Sequence, residues 1–255
     1  MSTGKPFHPL AFSERIVVLP YGAALQPKAK HLSTGCTSLD RALGGLPRGE
    51  VTLLYGEAGT GKTAFALQVS SHAAKQGSRV LFIDADNSFY PERLAQIAGE
   101  GLDVSRVIFV SKPTSFLGLT HLLVNLGSYA SSGVALVVVD TMTSLYRKAM
   151  NGSQNVFSLN RELNLQLAYL TETARIFEPA VLITSQVRSV PQRGGLEPLI
   201  EPVATRVLKF WSKWILKISS LPVKGLREIH VEKADEPSLV GTKITLRLEK
   251  EGFIG

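Results

Sequence analysis

Residues 56–63 read GEAGTGKT, with glycines at 56, 59 and 61 ahead of Lys62 and Thr63. The run fits G-x-x-x-x-G-K-[ST], follows the apolar VTLLY of 51–55 and opens a stretch of helical periodicity. Glycines adopt backbone conformations closed to other residues, so consecutive N–H groups can turn inward around an anion. In such a loop Gly56, Glu57, Ala58, Gly59, Thr60, Gly61, Lys62 and Thr63 cradle the phosphates of a nucleotide. Lys62 neutralises the β- and γ-phosphates, Thr63 offers its hydroxyl to Mg2+, and the positive end of the following helix adds to the anion site. The competing reading, a glycine turn before an ordinary helix, does not account for strand, lysine, threonine and helix standing together in this order.

Other segments end in groups that such a site can use. Asp140 closes the apolar run VALVVVD, where a carboxylate at the carboxyl edge of a parallel sheet reaches a water on Mg2+; the plainer role is a helix cap before Thr141. Asp84 and Asp86 end RVLFIDAD, and one of them can orient or deprotonate the water that attacks a phosphoanhydride. Gln186 ends AVLITSQV, where a neutral amide can sense a γ-phosphate or simply be a satisfied polar residue at a strand end.

The elements that position these residues follow from periodicity. From Ser33 apolar runs alternate with amphipathic stretches: VTLLY, 63–76, RVLFID, 91–99, VIFV, 115–130, VALVVVD, 158–178 and AVLITSQV. This predicts an α/β fold with a mainly parallel central sheet flanked by helices. Leu163, Leu167, Leu170, Ala174 and Phe177 form one stripe of the helix expected at 161–178. After about residue 212 the period shortens to two, through Trp214, Leu216 and Ile218 and on to Ile244, Leu246 and Leu248, which predicts an antiparallel C-terminal extension of the sheet. Residues 1–32, with four prolines and a strand-like RIVVL, are expected to be an extension or linker, and 33–255 the domain.

Composition narrows the class. At 255 residues the chain can bury one large core, and no apolar run approaches the roughly 18 residues of a membrane span. The N-terminus shows no secretory pattern, so a cytoplasmic protein is expected. Cys36 is the single cysteine, so no internal disulfide forms, and the five histidines are too scattered for a metal cluster. The net charge of +7 leans toward polyanionic partners. Between Ala204 and Arg227 stand Arg206, Lys209, Lys213, Lys217, Lys224 and Arg227 with no acid, together with Trp211 and Trp214. That stretch reads either as a nucleic-acid surface with stacking tryptophans or as a solvated face over two core tryptophans.

Taken together, STGCTSLDRALGG at 33–45, GEAGTGKT, DADNSFYPERL at 84–94, VVVDTMTSLYR at 137–147 and TSQV at 184–187 resemble the RecA-type recombinase family, in its archaeal RadA/RadB branch. The resemblance implies a RecA-like ATPase core, ATP and Mg2+ as ligands, and single-stranded DNA, associated with the nucleoid, as partner. It implies that Asp86 stands where the family has a glutamate that positions the attacking water. Being one methylene shorter, Asp86 implies a DNA-dependent ATPase of low turnover. The resemblance also gives Arg93 a stacking role on adenine, a use that suits a planar guanidinium, and places DNA-facing loops after Arg147 and after Val187. The second of these carries Arg188 and Arg193 against Glu197 and Glu201, so its charge by itself does not argue for phosphate binding. About thirty residues precede the core, without the helical domain and anchored linker of the RadA-like members, so a RadB-like paralogue assisting a RadA-type recombinase is expected and long filaments are not. A KaiC-like signalling ATPase, which shares GGLPRGE at 44–50, and a nucleotide-dependent scaffold with little hydrolysis are the alternatives.

Overall fold

Every residue of Val134–Asp140 is buried, as the unbroken apolar run requires of a strand covered on both faces. It lies inside a nine-stranded sheet. The computed structural model describes residues 29–99, 108–130, 133–152, 155–190 and 199–255; RIVVL and Arg193 lie outside them. In chain order the elements are β1 (His31–Leu32), α1 (Thr37–Leu43), β2 (Leu46–Pro47), β3 (Val51–Tyr55), α2 (Lys62–Lys75), β4 (Arg79–Asp84), α3 (Pro91–Ala98), β5 (Ile108–Ser111), α4 (Phe116–Val124), α5 (Leu126–Ala130) and β6 (Val134–Asp140). There follow α6 (Ser144–Gly152), α7 (Val156–Phe177), β7 (Ala180–Ser185), β8 (Val187–Val190), β9 (Leu199–Pro202), α8 (Thr205–Trp211), β10 (Trp214–Ser220), β11 (Leu226–Lys233), β12 (Lys243–Glu249) and β13 (Gly252–Ile254).

The large sheet runs β13-β12-β11-β10-β3-β7-β6-β4-β5. From β10 to β5 all neighbours are parallel, and from β10 outward to β13 they are antiparallel. The expected mixed sheet is therefore present, with one refinement. β10 belongs to both halves, parallel to β3 and antiparallel to β11, and its Ile215 is buried on the opposite face from Trp214 and Leu216. The period-two alternation placed Ile215 on the other face from those residues, and burial of that face too is what the structure adds.

Two cores sit on the two faces. One gathers Leu39, Phe65, Phe82, Leu136, Val138, Trp214 and Phe253 under α1, α2 and α3; the other gathers Leu53, Tyr55, Val137, Val139, Leu163, Leu167 and Leu170 under α4 to α8. Each fully buried aliphatic side chain contributes on the order of 1.5–3 kcal/mol.

Some local expectations shift. The stretch at 115–130 is two helices, because Asn125 leaves the helical path after α4 and its side-chain amide turns back onto the His121 carbonyl at 2.8 Å. The helix expected from 161 begins at Val156, where Asn155 caps the Ser158 N–H. His31 and Leu32, assigned above to the extension, pair with Leu46 and Pro47, and Leu32 is buried in the core. No helix among the described residues is long and apolar enough to cross a membrane.

Candidate functional site

Because β3, β4, β6 and β7 are parallel, their carboxyl ends lie along one edge, the usual place for a ligand crevice in an open α/β sheet. Side-chain alternation then selects the face. Leu136 and Val138 point into the core beneath α2, so Asp140, two residues on, points to the same side, as do Asp84 after Phe82 and Thr184 after Leu182. At the head of α2, Thr63 Oγ1 donates to Asp140 Oδ2 at 2.7 Å. Ser88 Oγ donates to the same oxygen at 3.2 Å, and Thr184 Oγ1 donates to the other. Burial pushes the Asp140 carboxyl above the usual carboxylate range; the three hydroxyl donors oppose the shift, and the charge of Asp84 adds to it.

The glycine loop reaches α2 by close approaches that a side chain would block. A Cβ on Gly56 would lie 2.2 Å from the Ile218 carbonyl of β10, and Gly61, at φ 104°, would place one 2.8 Å from Phe253 of β13. Thr60 is buried, its hydroxyl donating to the Glu57 carbonyl at 2.9 Å, while Glu57, Ala58 and Gly59 are exposed. Lys62 is buried, and its ammonium donates to the carbonyls of Gly56 at 2.8 Å and Glu57 at 2.7 Å. Burial lowers its pKa from the ordinary lysine value, opposed by the charges of Asp140, Asp86 and Glu57.

The two aspartates at the end of β4, Asp84 its last residue and Asp86 just beyond it, separate by partner. Asp84 is consumed locally, accepting from the N–H groups of Ser88 and Phe89 at 2.8 and 3.1 Å and pairing with Lys112 at 3.3 Å. Asp86 is the one that faces across the edge, accepting from Gln186 Nε2 at 3.3 Å. Arg147 of α6, exposed, donates to Gln186 Oε1, which fixes the amide with its nitrogen toward Asp86. The glycine loop, a buried ammonium, a hydroxyl–carboxylate pair and a second carboxylate thus converge at one sheet edge.

The Rad51 family model matches residues 27–254. The chain belongs to the Rad51 family. Similar relatives include the DNA repair and recombination protein RadB of Methanothermobacter thermautotrophicus, 30% identical over 86% of this chain and 93% of that protein, and RadB of Thermococcus kodakarensis, 36% identical over 79% and 89%. Among solved structures, a RadB recombinase crystal structure superposes with a TM-score of 0.73 at 32% identity, covering 88% of this chain and 98% of that one. The fold is the RecA-like one of that structure, and within the Rad51 family the resemblance is to RadB. These matches favour the recombinase reading over the KaiC-like alternative.

In this Rad51-family chain the C-terminal strands build the outer wall of the site. Arg227 of β11 donates from Nε to the Thr60 carbonyl at 3.1 Å and from an Nη to the Gly59 carbonyl at 3.4 Å. Those two carbonyls are thereby held toward β11. Gln68 of α2 bonds both backbone groups of Phe253, at 2.5 and 3.0 Å, and the Gly35 carbonyl at 3.0 Å. Arg93 of α3 donates to the carbonyls of Lys250 at 2.6 Å and Glu249 at 3.2 Å, so its guanidinium is held against the β12–β13 turn.

The basic stretch divides. Arg206 is exposed on α8, and Arg188 and Glu201 are register partners in the β8–β9 hairpin, which the sequence reading left as loop. Lys209 and Lys213 are ion-paired with Glu232 and Asp235, each at 3.2 Å, so they are not free cations, and the Asp235 pairing raises the Lys213 pKa. Trp214 is 2% exposed, and Trp211 donates its indole N–H to Asn164 at 2.9 Å. The tryptophans follow the core reading, because β10 lies inside the sheet and α8 packs on α7. Sequence reasoning missed Ser88, Thr184, Gln68 and Arg227 as site builders. Strand parity could have found Thr184; nothing local marks Arg227, whose contact with Thr60 spans 167 positions.

Proposed function

We propose that the chain is an ATP-binding, weakly hydrolysing protein of DNA recombination and repair. In this reading 33–255 act as one ATPase domain, and nucleotide state alters the grip on DNA or on a recombinase partner. The observation that carries the reading is Thr63 on Asp140 at 2.7 Å beside the buried Lys62. A hydroxyl and a carboxylate are hard oxygen donors suited to Mg2+, which keeps several of its waters. Thr141 Oγ1, buried next to Asp140 in the chain, has no hydrogen-bond partner among the described residues, and a metal-bound water would satisfy it. When bound, Mg2+ would neutralise charge on the β- and γ-phosphates.

The chain's own residues do the rest. Loop amides and the Lys62 ammonium bind the phosphates, the ammonium leaving the Gly56 and Glu57 carbonyls to do so. Arg227 keeps the loop carbonyls turned away, and Arg93 offers a flat cation to the base beside the β12–β13 turn. Asp86 orients the attacking water, and Gln186, its amide set by Arg147, senses the terminal phosphate. The short side chain of Asp86 holds that water loosely, which favours binding nucleotide over consuming it. Single-stranded DNA meets Arg147, which bonds Gln186, together with Arg188, Arg193 and Arg206, which lie in the chain between Gln186 and the end of α8.

The test is calorimetry with MgATP, followed by hydrolysis with and without single-stranded DNA across a salt series. Binding heat with slow, DNA-stimulated hydrolysis is expected, and DNA affinity should fall steeply as salt rises. No heat with adenine nucleotides would overturn the site assignment, and DNA affinity indifferent to salt and nucleotide would overturn the DNA role.

A further inference from the structure

Between Ile215 and Leu216 the pairing of β10 with β11 slips: Ile215 faces Lys233 and Leu216 faces Val231, leaving Glu232 unmatched across the ladder. In a regular strand consecutive side chains leave on opposite faces, and an extra residue in one strand breaks that alternation. Glu232 and Lys233 accordingly reach the same helix. Glu232 Oε2 accepts from Lys209 Nζ of α8 at 3.2 Å, while Lys233 Nζ donates to the carbonyls of Lys209 and Ser212 at 3.3 and 2.7 Å. The last carbonyls of a helix lack intrahelical donors, so an ammonium placed there satisfies them and complements the dipole.

The other oxygen of Glu232 accepts the Tyr55 hydroxyl at 2.5 Å, and the Lys209 ammonium stands 5.9 Å from the Tyr55 ring centroid. Tyr55 is buried and is the last residue of β3; the next residue is Gly56, whose carbonyl holds Lys62. On the far side, α8 follows the hairpin that starts one residue after Gln186. Gln186, on Asp86, and α8, through Glu232 to Tyr55, are thereby each tied to the site.

We infer that Glu232 is a positioning residue that links the phosphate loop to α8 through Tyr55 and Lys209, so that nucleotide binding changes how firmly α8 is held. The inference rests on the nucleotide site proposed above. A polyphosphate competes with the Gly56 and Glu57 carbonyls for the Lys62 ammonium. Gly56 is closed in by the Ile218 carbonyl, so the released peptide adjusts toward Tyr55, whose hydroxyl Glu232 holds.

Tyr55→Phe removes one hydroxyl and keeps the buried ring, and Glu232→Gln removes the charge and keeps a hydrogen-bonding group. Amide hydrogen exchange over Thr205–Trp211 in the full chain, without nucleotide and with saturating MgADP, reads the link, with calorimetry on the same samples. In the wild type MgADP changes exchange there by about threefold or more; in either variant the change falls below about 1.5-fold while MgADP affinity stays within about threefold. A purely structural role would instead shift exchange by one factor in both nucleotide states, and that result overturns the inference. So does wild-type binding heat with unchanged exchange in α8. Absence of heat in the wild type overturns the nucleotide site itself, and this link with it.

Discussion

The Thr63 hydroxyl donates to Asp140 at 2.7 Å, joining the first turn of α2 to the end of β6 across 77 positions of sequence. Asp140 is fully buried, and its pKa lies above the ordinary value chiefly through desolvation. The folded protein therefore holds this proton more tightly than the unfolded chain does. Its stabilising effect is complete below the unfolded pKa, near 3.9, and is lost as pH rises through the folded value. Asp140→Asn, neutral throughout, should match the wild type at acid pH and melt higher toward neutrality, by about 2–4 °C for each kcal/mol of relieved desolvation. Nucleotide-free melting from about pH 4 to about pH 8 checks this. The same variant should lose the Mg2+ dependence of ATP binding.

Lys62 has the opposite sign. Its ammonium is destabilised by burial, so ATP affinity should fall with rising pH from a point below the ordinary lysine value of about 10.4. For folding, the depressed pKa means that nucleotide-free stability rises as pH climbs through the folded value. Lys62→Ala should lower ATP affinity by about a hundredfold and flatten this part of the pH profile, read by calorimetry at several pH values. Unchanged affinity would remove Lys62 from the site.

Asp86 stands 3.3 Å from the Gln186 amide, at the long end of a hydrogen bond. Asp86→Glu extends the carboxylate by one carbon–carbon bond and should raise the single-turnover rate about tenfold, whereas Asp86→Asn should lower it. If the glutamate variant is no faster, side-chain length is not what limits turnover.

Arg227 touches only backbone of the loop, so its effect belongs to binding. Arg227→Met should weaken ATP and ADP alike by about tenfold, with Arg227→Lys recovering part of the loss. The rate at saturating nucleotide should stay within about twofold of wild type. A selective fall in that rate would place Arg227 in the chemistry instead.

Much of the site was legible because its residues are local signals at strand ends. GEAGTGKT announces itself by spacing, and Asp140 and Gln186 by closing apolar runs. The residues alone left Asp84 and Asp86 open and the family resemblance pointed to Asp86; the physical reason, Ser88, Phe89 and Lys112 taking up the first carboxylate, was not legible. Lys209 and Lys213 read as free charges because their partners, Glu232 and Asp235, lie more than twenty positions away in β11 and the turn after it. Trp214 was ambiguous for a related reason: a strand bordered on both sides buries residues that a period-two pattern leaves undecided.

By itself, the order of amino acids determined the α/β alternation, the glycine loop and the carboxylates at the strand ends, because these depend on short-range periodicity and backbone permissiveness. Tertiary structure alone decided that β10 runs parallel to β3, that a bulge turns Glu232 toward Tyr55 and α8, and that Arg227 braces the loop. Those are contacts between segments distant in sequence, set by which strands become neighbours and on which face each side chain emerges, and no local pattern encodes either.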